Sequence, residues 1–144
     1  MGRNNDGVYL LTIPGRLPNL NDYIDAERRN RQAAAKLKRE AQEYIGWYIR
    51  RDLRGVRFKG PVVMQYTWIE KDRRRDRDNI TFGRKFIQDA LVQAGVLRDD
   101  GWDEIAGFSD DFQVDKNKAR VEVRIWEYSG EPKKKKENIN AQTV

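Results

Sequence analysis

Two kinds of periodicity alternate along this chain. Residues 7–13, Gly-Val-Tyr-Leu-Leu-Thr-Ile, have the β-branched and aromatic composition of a strand, and Pro14-Gly15 ends it as a turn. From about residue 22 to 52 the pattern is helical, with Ala33-Ala34-Ala35, many Lys, Arg, Glu and Gln, and no proline. Ile24, Ala34, Leu37, Ala41, Tyr44, Ile45, Tyr48 and Leu53 make its apolar stripe, and Asn21 or Asp22 is placed to cap it. Arg28, Arg29, Arg31, Lys36, Lys38 and Arg39 make its other surface basic. Residues 62–70 alternate again, with Val62, Met64, Tyr66 and Trp68 on one face and Val63, Gln65, Thr67 and Ile69 on the other. A second helical pattern over 79–95 gathers Gly83, Phe86, Ile87, Ala90, Leu91 and Ala94 on one face and stops at Gly95. A strand is expected within 106–114. A clearer one covers 119–127, where Val121, Val123 and Ile125 alternate with Glu122, Arg124 and Trp126. This order predicts an α/β (α+β) fold: a small mixed β-sheet packed with one long N-terminal helix and one central helix.

Length and composition narrow the function. At 144 residues the chain fits one domain with a real core, here expected over 1–128. Residues 129–144, with Lys133-Lys134-Lys135-Lys136, carry no apolar period and read as a basic, disordered tail that serves solubility before DNA contact. No apolar run approaches bilayer length, so no membrane partner is expected. Met1-Gly2-Arg3-Asn4-Asn5-Asp6 lacks the apolar stretch of a signal peptide, which makes the expected location cytoplasmic. Cysteine and histidine are both absent, which excludes disulfides, Cys/His zinc sites and any His-based triad. A metal would be held by oxygen alone, which favours magnesium, with manganese as the other candidate. The net charge of +6 attracts polyanions, nucleic acid first among them.

The candidate chemistry lies in Arg73-Arg74-Arg75-Asp76-Arg77-Asp78-Asn79, continued by Asp99-Asp100 beyond the second helical pattern. Acids inside an arginine run suggest a divalent cation held against phosphodiesters. Such a cation activates water and neutralises charge on the phosphoryl oxygens. Along the helix, Asp78, Lys85 and Asp89 fall on one face, and a lysine there can stabilise the developing charge. The ordinary alternatives are plain. Asp-x-Asp-Asn is also the composition of a helix cap, and alone it reads as capping before metal. Lys85 with Asp89 reads as a surface ion pair, Asp110-Asp111 as a turn, and Trp102 as a packing residue. Geometry sets a problem as well. A helix over 79–95 would be about 25 Å long at ~1.5 Å per residue, and residues 96–100 are too few to return Asp100 to Asp76. An irregular start at 79–83, or a second subunit, would bring the acids together.

Taken in order, Arg75-Asp76-Arg77-Asp78-Asn79, then Lys85-Phe86-Ile87-Gln88-Asp89-Ala90-Leu91, Ala94-Gly95-Val96 and Asp99-Asp100 resemble the RusA family of Holliday-junction resolvases, especially its phage and prophage members. The opening Ile13-Pro14-Gly15-x-x-Pro18-x-x-Asn21 resembles that family too, and the likeness covers roughly residues 8–127. It implies a homodimeric, magnesium-dependent crossover junction endodeoxyribonuclease that cuts four-way DNA symmetrically in recombination and repair. It implies that Asp76, Asp78 and Asp100 bind the metal and that Lys85 is the catalytic lysine. That lysine follows Asn79 at a wider spacing than in the family, which leaves Arg84 as the alternative to Lys85; Asp99 is the alternative to Asp100. Arg73, Arg74, Arg75 and Arg77, with Arg28, Arg29 and Lys36 of the first helix, are expected to grip the DNA backbone. The rival expectation is a phage DNA-binding accessory protein of the same fold without catalysis.

Overall fold

The first strand, β1 (Tyr9–Pro14), lies at one edge of a sheet, and its outer edge is met at Thr12 by Arg51 and Asp52, the end of a later helix. The Thr12 N–H donates to the Asp52 carboxylate at 2.8 Å, and Arg51 donates to the Thr12 carbonyl at 3.0 Å. Side chains thus satisfy backbone groups that would otherwise invite another strand. A computed structural model describes residues 7–130 of the chain. The lysine run expected in a disordered tail lies outside the described residues.

The N-terminal helical segment is two helices, α1 (Leu20–Arg29) and α2 (Arg31–Asp52), rather than the continuous one expected. Asn30 breaks it in an extended conformation, and its side chain caps α2 by accepting from the Ala33 N–H at 2.7 Å. Asparagine at a solvent-exposed position competes for the backbone in this way, and the propensity of its neighbours does not prevent it. Asn19 caps α1, not Asn21 or Asp22. Asp22 supplies the reciprocal half of the capping box, accepting from the Asn19 N–H at 2.9 Å.

Strand β2 (Val62–Glu70) feeds a short helix, α3 (Arg77–Ile80), then α4 (Gly83–Gln93), and the chain returns as β3 (Ile105–Val114) and β4 (Arg120–Glu127). The sheet order is β1-β4-β2-β3; β2 and β3 run parallel and the other pairs antiparallel. This is the expected small mixed sheet packed with helices. Leu11, Ile13, Met64, Tyr66, Trp68, Val121, Val123 and Ile125 form the buried face of the sheet. Against it pack Ala41, Ile45 and Ile49 of α2 and Phe86, Ile87, Ala90 and Leu91 of α4. Tyr66 and Trp68 stack with centroids 5.5 Å apart. No helix among the described residues is long and apolar enough to cross a membrane.

The central helical segment is also broken, at Thr81-Phe82, where one helix over 79–95 was expected. Gly83 sits so close to its neighbours that a Cβ there would lie 3.3 Å from Leu17 and from the Trp68 ring. The chain bends to make that approach. The bend leaves α4 about 16 Å long at ~1.5 Å per residue, well short of the length that separated Asp76 from Asp100 on paper.

Candidate functional site

The charged stretch begins where β2 ends. Glu70 is buried, and Arg75 folds back onto it as a two-pronged pair, Nε to Oε1 at 3.0 Å and Nη2 to Oε2 at 2.7 Å. Only 10% of the Arg75 side chain and 11% of Glu70 remain exposed, and Arg75 Nη1 also reaches the Leu17 carbonyl at 3.4 Å. Arg75 therefore holds the turn between β2 and α3. This corrects its expected role as a backbone-gripping residue, because its donors are already committed inside the protein. Arg73, Arg74 and Arg77 are exposed as expected. Arg74 lies 3.7 Å from Asp72, and the Arg77 guanidinium sits 5.2 Å over the Phe112 ring. Asp72, Arg73, Asp76, Arg77 and Phe112 line an open cleft of about 730 Å³.

Asp76 occupies the cap position of α3, yet its carboxylate makes no capping hydrogen bond. Its backbone carbonyl does that work, accepting from Asn79 and Ile80 at 3.0 Å each. Among the described residues the Asp78 carboxylate likewise takes no hydrogen bond or ion pair; only its backbone carbonyl is used, by Thr81 Oγ1 at 3.4 Å. The capping explanation thus fails for both acids. The residue of the motif that is structural is Asn79, whose side chain accepts from the Asn21 N–H at 3.2 Å and ties α3 to α1.

Beyond α4 the chain doubles back. Gly95, at φ +80°, closes the helix: its N–H donates to Val92 at 3.0 Å and the Val96 N–H to Leu91 at 3.0 Å. Both bonds belong to the left-handed glycine cap. Val96 and Leu97 are then buried in the core, and the Phe58 N–H fixes the Val96 carbonyl at 2.9 Å. Burial of these two apolar side chains draws Asp100 alongside α4, where its Oδ2 lies 3.4 Å from Lys85 Nζ. Lys85 also lies 3.3 Å from Asp89. Asp89 in turn lies 3.8 Å from Lys38 and accepts from Gln42 at 3.3 Å, so α2 closes the far side of the group. Together these residues line a shallow depression of about 410 Å³.

Asp89 is the site residue that sequence reasoning set aside as a surface pair. Its spacing from Lys85 was visible, but the return of Asp100 and the approach of Lys38 were not. Partial burial alone would lower the Lys85 pKa, but the Asp89 and Asp100 carboxylates outweigh it and hold the ammonium above its ordinary value. Of the two alternatives at each position, the structure puts Lys85 and Asp100 together. Asp99 instead accepts from the Asp100 N–H at 2.8 Å. Arg84 points to the other side of α4, paired with Asp110 and lying 4.3 Å over the Phe108 ring. Asp110 and Asp111 lie within β3, paired with Tyr66 and Thr67, and not in the turn expected of them; Asp110 also accepts from the Trp68 indole at 2.9 Å.

The expected site therefore stands in two parts. Asp76 lines the arginine cleft and Asp78 follows it in α3, Lys85 and Asp100 line the depression beside α2, and the two depressions share no lining residue. Among the described residues no group of three acidic side chains is disposed to hold a metal ion. Magnesium is ordinarily held by one or two carboxylates, with water and substrate phosphates completing its shell. Two uncommitted aspartates two residues apart, offering oxygen only, suit that chemistry. Arg28 and Arg29 are exposed at the end of α1, and Lys36 is exposed 3.8 Å from Glu40. Trp102 does not pack at all: it is 97% exposed. No protein-family model matches the sequence, and no curated protein matches it significantly.

Proposed function

We propose that this protein is a metal-dependent, structure-selective endodeoxyribonuclease of RusA type, acting as a homodimer on four-way or otherwise branched DNA. The observation that carries the reading is the pair of carboxylates, Asp76 and Asp78, left without protein partners amid the exposed Arg73, Arg74 and Arg77. Carboxylates that no protein group neutralises are open to a hard cation, which takes oxygen ligands. Magnesium or manganese bound there would neutralise phosphoryl charge and favour ionisation of water.

The rest of the chemistry belongs to the chain. Lys85, kept charged by Asp89 and Asp100, cannot take a proton at neutral pH. Its role is to meet negative charge that develops on the phosphate or leaving oxygen. Asp100 and Asp89 hold that ammonium in place. Arg73, Arg74 and Arg77 bind the backbone of the DNA, with Arg28, Arg29 and Lys36 extending the basic surface. A two-fold dimer presents two cutting sites related as the two opposed strands of a junction are, and it allows acids of two subunits to meet.

The test is nicking of a labelled synthetic four-way junction with and without magnesium, beside a linear duplex. Magnesium-dependent cuts in the junction and not in the duplex are expected, from a protein whose sedimentation mass is that of a dimer. The separation of Asp76 and Asp78 from Asp100 favours a second reading, a DNA-binding accessory protein without catalysis. Tight, salt-sensitive junction binding with no cleavage at any magnesium or manganese concentration would select it.

A further inference from the structure

We propose that Trp102 is a base-stacking residue that recognises an unstacked nucleobase at a DNA branch point. The inference rests on the nucleic-acid reading above. The indole is 97% exposed, whereas Trp68 is buried and Trp47, itself 63% exposed, has the Arg50 guanidinium 5.7 Å from its ring. Tryptophan is among the largest apolar surfaces a protein carries and is normally well covered. The exposure is not that of a loose tip. The Glu104 and Ile105 N–H groups both donate to the Gly101 carbonyl, at 3.2 and 3.0 Å, and Arg98 lies 3.5 Å from Glu104. The turn is closed at its base, and the ring stands in solvent on it.

Position supplies the second argument. Trp102 stands two residues after Asp100, the acid against Lys85, and three residues before β3. Along that edge strand Phe108 and Phe112 each carry a guanidinium over the ring, Arg84 at 4.3 Å and Arg77 at 5.2 Å. Aromatic rings and arginines alternating along a groove are the way proteins hold unpaired bases. Phe112 lines the Asp76 cleft, Phe108 lies four residues nearer the start of β3, and the turn that bears Trp102 leads into that start.

Charge decides which part of DNA the indole meets. Asp99 and Asp103 flank it in the chain and repel phosphate. The uncharged face of a base is the component that approaches such a turn without that penalty. In a continuous duplex those faces are covered by their neighbours; at a branch point or in a single strand they are open. Trp102 therefore favours branched over linear DNA and is a specificity residue, not a catalytic one.

The experiment uses the full chain with Trp102→Ala and Trp102→Phe, and measures binding in the absence of divalent metal. The DNAs are a four-way junction carrying 2-aminopurine beside the branch point and a linear duplex. For Trp102→Ala, junction affinity is expected to fall about 10-fold or more, since stacking on one base is worth roughly a factor of ten to a hundred. Duplex affinity stays unchanged, the 2-aminopurine signal that changes with wild type no longer does so, and Trp102→Phe recovers most of the loss. Equal affinity of wild type and Trp102→Ala for the junction overturns the proposal, as does an equal loss on both DNAs. A drop in sedimentation mass for Trp102→Ala also overturns it, because the ring would then be a subunit contact. The two readings separate cleanly: a wild type that prefers the junction through Trp102 but never cuts it keeps this inference and removes the nuclease.

Discussion

Arg75→Met is the perturbation that best separates a structural arginine from a DNA-gripping one. Arg75 and Glu70 form two hydrogen bonds, at 2.7 and 3.0 Å, with about nine-tenths of each side chain covered. Two unit charges ~4 Å apart at an effective dielectric of ~20 interact by about 4 kcal/mol. Removing one partner of such a buried pair ordinarily costs roughly 3–5 kcal/mol, because the other charge is stranded. Here Arg16 stays near Glu70, its Nε at 4.0 Å, and offsets part of the loss. The expected cost is about 2–4 kcal/mol, which for a domain of this size lowers Tm by roughly 10 °C. Urea or thermal denaturation at neutral pH reads it directly. Glu70→Gln combined with Arg75→Met should recover much of the stability, since no charge is then stranded. A stability change under ~0.5 kcal/mol together with a loss of DNA binding as large as that of Arg73→Ala would refute the reasoning and return Arg75 to the DNA surface.

Three further outcomes follow from the same structure. Lys85→Met should lower the cleavage rate by about 10²–10³-fold, as loss of one charge-stabilising donor does, with Lys85→Arg partly restoring it; a rate within threefold of wild type counts against the assignment. Gly95→Ala should destabilise by about 1–2 kcal/mol, because a left-handed residue at φ +80° gains a Cβ and the Arg57 guanidinium, which occupies the place of that carbon, has to move; unchanged urea midpoints would show the cap to be unimportant. Asp52 is partly buried, which alone would raise its pKa, but hydrogen bonds from Arg51 and the Thr12 N–H outweigh this and hold it below the ordinary value. A depressed acid stabilises the fold above its unfolded pKa of about 3.9, and that contribution is lost as pH falls through the folded value. Asp52→Asn should therefore flatten the acid limb of the stability curve below about pH 4, and an unaltered acid limb would contradict it.

Much of the fold was legible because burial on one face imposes a period that survives in the sequence. Val62, Met64, Tyr66 and Trp68 share the face of β2 that packs on the helices, with Thr67 and Ile69 also buried toward its end, and Val121, Val123 and Ile125 alternate on β4 because one side of it is covered. What escaped detection was local competition and long-range return. Asn30 halts a strongly helical stretch through a single side-chain bond, which summed propensity cannot register. The bend before Gly83 answers to Leu17 and Trp68, residues distant in the chain. The site shows the same division. Asp76 and Asp78 were evident as acids out of place, and the structure removes the capping explanation for them. Arg75 looked like its neighbours until Glu70 claimed it, since residue type says nothing about which arginine turns inward. The contact between Lys85 and Asp100 depends on burial of Val96 and Leu97 behind a left-handed glycine, a tertiary event. Trp102 has the composition of a packing residue, as most tryptophans do; its exposure depends on its place in a tight turn closed at Gly101, which residue type does not reveal.

The central claim is that the unpartnered aspartates beside the arginine cleft are a cation site for cutting DNA. The most direct measurement is junction cleavage and junction binding, side by side, for Asp76→Asn and Asp78→Asn in magnesium. Cleavage abolished in both, with affinity for the junction equal to or higher than wild type, is the expected result. Cleavage at the wild-type rate by both variants would contradict it.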